Sequence, residues 1–142
     1  MRHFRVFSVQ STGTRFVLSF FKHHGFVPEY QHTGSSITDD VLLVIPQRDP
    51  IECYYSHASQ LGRFVASWRE LIFRAEHHES FLFPITKPDI ELEKAACAFV
   101  DIPHRQGFAW EPVGMTERVC DPSQYPDVGK EMQFAVDWYG DQ

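Results

Sequence analysis

Arg48 lies in the stretch IPQRDPIECYYSHA, with Pro50 two residues later and Ser56 eight residues later. Arginine presents a planar fork of N–H donors that matches the oxygens of a phosphate or sulfate in pairs. A serine hydroxyl nearby adds a further donor. Earlier in the chain, Ser11-Thr12-Gly13-Thr14 joins two apolar runs. There Gly13 permits close backbone approach, and the hydroxyls of Thr12 and Thr14 can donate. Thr12 or Thr14 can equally serve as a simple helix cap. No lysine follows Gly13, so the GxxxxGK[ST] pattern of nucleotide kinases and NTPases is missing. His32 is the candidate general base, since an imidazole accepts a proton at neutral pH.

These residues are useful together only if the chain brings them to one place. Phe4 to Val9 reads as a strand that ends in turn chemistry. Thr14 to about His24 reads as a helix stopped by Gly25, and Phe26 to Gln31 as a short strand weakened by Pro28. HTGSSITDD is loop-like. Val41 to Ile45 is a solid apolar run suited to a strand covered on both faces. Pro50 suits a first helical turn. From Leu61, the spacing of Phe64, Val65, Trp68, Leu71 and Ile72 predicts a helix. Phe81 to Ile85 reads as a further buried strand. Asp89 can cap a helix whose inner face is Leu92, Ala95, Ala96 and Phe99, and a last helix is expected near Val128 to Trp138.

Strands alternating with helices predict an α/β fold, a three-layer α/β/α arrangement around a central parallel sheet, as one domain over residues 1–142. Ligands of such sheets bind outside the carboxyl ends of the strands. The loops after Val9, Gln31 and Ile45 share that rim, and each carries one of the polar clusters above. A strand, a small-residue loop and a helix also make an anion site by geometry, because the first helical N–H groups lack internal partners.

Composition narrows the classes. The 142 residues are 43% hydrophobic with 13 phenylalanines, so aromatic packing should dominate the core. A net charge of −6 argues against nucleic acid or an anionic membrane as partner, but not against a small anion. Cys53, Cys97 and Cys120 show no CxxC spacing, so neither a disulfide framework nor a structural zinc site is expected. His23, His24, His77 and His78 read as helix-end residues with no third ligand at a recognisable spacing, and no metal is expected. MRHFRVFSVQ lacks the apolar stretch of a signal peptide and no segment suits a membrane span, so a cytoplasmic location is expected.

The two polar loops together resemble the sulfotransferases that use 3′-phosphoadenosine 5′-phosphosulfate (PAPS), which share a P-loop-like fold. STGTRF is similar to that family's first motif, a basic residue followed by small residues, Gly, Thr and often an aromatic. The resemblance implies that Ser11, Thr12, Gly13, Thr14 and Arg15 hold the 5′-phosphosulfate and that Phe16 stacks on the adenine. Arg48 and Ser56 match the family's R-x-P-x5-S, which implies a grip on the 3′-phosphate. FLFPITKPDIELEKAACAFVDIP is similar to the family's late strand and helix. HRQGFAW resembles an R-K-G stretch, which adds Arg105 and Gly107 at the 3′-phosphate. The likeness spans roughly residues 4 to 103.

On this resemblance the chain transfers a sulfuryl group from PAPS to a hydroxyl or amine acceptor and releases 3′,5′-bisphosphoadenosine (PAP). His32 would serve as base, with Arg15 and Ser11 at the transferring group. Ser11 stands where the family has lysine or arginine, which leaves open a nucleotide-binding protein without transfer, or a small nucleotide kinase. Only 16 residues lead from Phe16 to His32, fewer than many family members devote to the acceptor. A shallow acceptor pocket, or one completed by a second copy in a homo-oligomer, is therefore expected.

Overall fold

The computed structural model describes residues 2–10, 12–34, 37, 40–57, 60–85, 88–111 and 127–142, the side chains of Ser56 and His57 excepted. Its centre is a four-stranded sheet of β1 (Phe4–Ser8), β2 (Glu29–His32), β3 (Leu42–Gln47) and β4 (Ser80–Pro84), in the order β2-β1-β3-β4. Every pairing is parallel, with Val6 beside Tyr30 on one side and beside Val44 on the other.

The two central strands show why the sheet needs cover on both faces. Phe4 and Val6 of β1 and Leu42 and Val44 of β3 enter one apolar cluster. Phe7, Leu43 and Ile45 enter the other. Successive side chains of a strand point to opposite faces, so a continuous apolar run must be buried twice. Helix α1 (Thr14–His23) covers the first face with Phe16, Val17, Phe20 and Phe21, joined by Ala96, Cys97 and Val100 of α4 (Ile90–Val100). The second face is covered by α2 (Pro50–His57), α3 (Leu61–His77), α5 (Val128–Glu131) and α6 (Gln133–Gly140). Among the described residues, α3 contributes Phe64, Trp68 and Leu71, and the last two helices Val128, Met132 and Ala135.

Local chemistry fixes several of these boundaries. Asp49 Oδ1 accepts from the amides of Ile51 and Glu52 and so caps α2. Asp89 does the same for α4 through the amides of Glu91 and Leu92. Gly25, at φ +86°, ends α1 as expected. The expected last helix is interrupted at Met132, whose buried side chain lies between α5 and α6. Among the described residues, no helix is long and apolar enough to cross a membrane.

Candidate functional site

In a parallel sheet every strand delivers its carboxyl end to the same rim. β1 and β3 are paired in parallel through Val6 and Val44, so the loop that follows Ser8 and the loop that begins at Arg48 leave the sheet at the same edge. Neighbouring strands lie about 4.8 Å apart, so the loops after β1 and β3 share one stretch of that rim. β1 and β3 flank the point where the chain reverses its direction of travel across the sheet, the usual ligand position in open α/β folds.

The first loop is built as its glycine requires. Gly13 takes φ +101°, a conformation that L side chains rarely adopt, and it is the residue that precedes α1. The first intrahelical bond runs from the Val17 amide to the Gly13 carbonyl at 3.1 Å. The N-cap residue is this glycine, which has no side chain to cap the helix, and the first amides of a helix lack intrahelical partners. The close approach at Gly13 is made by Ile85, at the end of β4. A Cβ on Gly13 would stand 2.8 Å from Ile85 Cγ1.

A polar chain crosses from this loop to β2. Ser8 Oγ lies 2.6 Å from Thr14 Oγ1 and 3.3 Å from His32 Nδ1. His32 thus ends β2 beside the first turn of α1, and its ring also meets that of Tyr30 edge-on. Beyond it opens a cavity of about 230 Å³, lined by Val9, Gln10, His32, Thr33, Arg63, Phe64 and Ser67. That volume is below the range typical of a drug-sized ligand, so it suits a small group rather than a whole nucleotide. The Gly34 amide donates to Glu70 of α3 at 2.8 Å, tying the loop after β2 to the helix that forms the far wall.

Arg48 follows β3 directly. Its side chain is 18% exposed, and its Nε lies 3.7 Å from Glu52 on the next turn of α2. The Cys53 thiol, one residue further, is pushed up strongly by burial, although the positive charge of Arg48 acts in the opposite direction. Arg15 is exposed on the first turn of α1. Ser11 and the side chain of Ser56 lie outside the described residues.

Four expectations for the site need correction. Phe16 is 1% exposed and packs against Phe83, Phe108 and Trp110, so it belongs to the core and presents no face to an adenine. The Thr12 hydroxyl is fully buried and donates to the Val9 carbonyl at 2.7 Å, which stabilises the turn instead of an anion. Arg105 lies over Gly25, where a Cβ would meet its guanidinium at 2.8 Å, and His23 Nε2 donates to the carbonyls of Arg105 and Gln106. These contacts hold Arg105 and Gln106, and so the chain leading into Gly107, at the C-terminal end of α1. Ten helical residues rise about 15 Å, so this is the opposite rim of the sheet from Gly13. Sequence reasoning missed Ser8, Arg63 and Ser67. Ser8 has the clearest signal, as the single hydroxyl closing an apolar strand.

A scan against protein-family models finds no match to this chain. Searches of curated proteins and of solved structures likewise return none.

Proposed function

We propose that the protein is a PAPS-dependent sulfotransferase of P-loop-like fold, with its nucleotide seated on the carboxyl rim of the sheet. The observation that carries the reading is the chain Thr14–Ser8–His32 at the glycine-led start of α1, on the rim where Arg48 follows the neighbouring strand β3. The donor set fits a ligand with two anionic ends. The leading amides of α1 and Thr14 receive the 5′ end, and the Arg48 fork receives the 3′-phosphate. PAPS supplies an activated sulfuryl group, whose S–O bond to phosphate breaks as the bond to the acceptor oxygen or nitrogen forms. His32 takes the acceptor proton, and Ser8 holds the imidazole in place. Exposed Arg15, on the first turn of α1, supplies the positive charge that Ser11 lacks. The small cavity beside His32 admits the reacting end of an acceptor whose remainder stays at the surface.

The serine at position 11 favours a second reading, a PAP- or PAPS-binding protein without transfer. A nucleotide kinase fits less well, because no lysine follows Gly13. Calorimetry with PAP and ATP, joined to an assay of PAPS conversion to PAP over a panel of hydroxyl and amine acceptors, separates the three. Tight PAP binding with acceptor-dependent turnover is the expected result. Binding without turnover supports the second reading, and a preference for ATP overturns both. Ser11→Lys adds a discriminating variant, since turnover gained only there identifies a binding protein that has lost its catalytic cation.

A further inference from the structure

At the opposite rim, three side chains from separate elements converge in a way the proposed reaction does not use. His24 follows α1, Glu93 lies on α4, and His104 belongs to the segment after α4. One potential ligand atom from each lies within 4.8 Å of the other two. His24 is 3% exposed and Glu93 5% exposed, so neither is a solvated surface group.

The hydrogen bonds set the direction of each donor. His24 Nδ1–H donates to the Phe20 carbonyl at 2.8 Å, which leaves the lone pair on Nε2. That Nε2 is buried and has no hydrogen-bond partner. Buried polar atoms nearly always have one, so the orphan calls for an explanation. Glu93 Oε2 accepts from the Trp110 indole N–H at 2.9 Å, and Oε1 lies 3.1 Å from His104 Nε2. A ligating imidazole whose other nitrogen donates to a backbone carbonyl, beside a carboxylate that is itself hydrogen-bonded, is the usual outer shell of a metal site.

We propose that His24 Nε2, Glu93 and His104 bind a divalent transition metal, with zinc the best match to two imidazoles and one carboxylate. Zinc bonds of about 2.0–2.2 Å place tetrahedral ligand atoms roughly 3.4 Å apart. His104 and Glu93, 3.1 Å apart, are already near that spacing, and His24 closes in from a separation of at most 4.8 Å. The proton between His104 Nε2 and Glu93 leaves to solvent when the metal binds. Water completes the tetrahedron from the side of His104, which is partly exposed. The ion would join the end of α1 to α4 and to the segment that carries Phe108 and Trp110, whose rings pack on Phe16 at the start of α1. The site ties three elements together and is independent of the nucleotide reading.

The untagged chain is stripped with chelator and titrated with zinc chloride by calorimetry, with melting followed in parallel. One zinc per chain and a melting temperature that rises with zinc are expected. His104→Asn and Glu93→Gln should each weaken zinc at least tenfold and abolish the thermal shift, while His23→Asn should bind as the wild type does. Cobalt chloride gives a second readout, visible absorption of a tetrahedral N/O site that is lost in His104→Asn. Should Glu93→Gln fail to fold, the partly exposed His104 and the cobalt spectrum still decide the matter. No stoichiometric zinc, or equal affinity in wild type and His104→Asn, overturns the proposal. So does an equal loss in His23→Asn.

Discussion

Ser8 is the residue on which the catalytic proposal turns, because its hydroxyl touches both Thr14 and His32. Ser8→Ala removes the hydroxyl that holds the imidazole. Turnover of PAPS is expected to fall roughly tenfold or more with little change in PAP affinity. His32→Ala should lose more turnover, again sparing affinity; equal loss of both would remove it from the role of base. Arg48→Ala is expected to weaken PAP roughly ten- to hundredfold in calorimetry, as loss of a charge-assisted contact of about 1.5–3 kcal/mol implies. Gly13→Ala strains the backbone at φ +101° and drives a methyl into Ile85, so urea denaturation should show a loss of about 1–2 kcal/mol or more. At this scale the sequence spoke clearly where chemistry and backbone demand coincide, as at Gly13. It misled at Phe16, whose motif position suggested a ligand contact. Phe16, Val17, Phe20 and Phe21 form one helical stripe, and a stripe of that kind is drawn into the core.

The elements were legible where local signals are strong. Asp89 before an apolar helix is one such signal, and its carboxylate does accept from two leading amides. Asp89→Ala should lower the urea midpoint by the equivalent of about 1 kcal/mol, the usual cost of losing such a cap. The strands were legible too, though β3 runs on to Gln47 and β2 starts only at Glu29. Pairing with a neighbour decides where a strand stops, and pairing is not written in the strand itself. The break at Met132 escaped the periodic reading for a related reason. A short interruption keeps Met132, Ala135 and Val128 all buried against the second face, so the apolar pattern passes through it unchanged.

For the whole molecule, the parallel sheet with helices on both faces followed from alternating elements and from central strands that are apolar throughout. What the sequence could not show is which distant residues meet. Arg105 resembled a phosphate ligand by its neighbours in the chain, yet it wraps the far end of α1, beside the His24–Glu93–His104 group. Burial also leaves a global signature in the thiols. The Cys97 thiol is pushed up to about 11 by burial, helped by the negative charge of Glu93. The folded chain therefore holds a proton that the unfolded chain releases near pH 8.5. This contribution to stability is complete below that value and is lost as pH rises to about 11, so the urea midpoint should fall across that interval. In a Cys120→Ser variant, a thiol reagent should find no reactive cysteine until the chain unfolds, since Cys53 and Cys97 are both buried. The placement of the ligand is tested most directly by backbone amide shifts during titration with PAP. Shifts gathered at Gly13 to Phe16, His32 and Arg48, with Arg105 to Gly107 unmoved, are expected. Shifts gathered at the Arg105 rim, or none at saturating PAP, would contradict a nucleotide seat on the carboxyl edge.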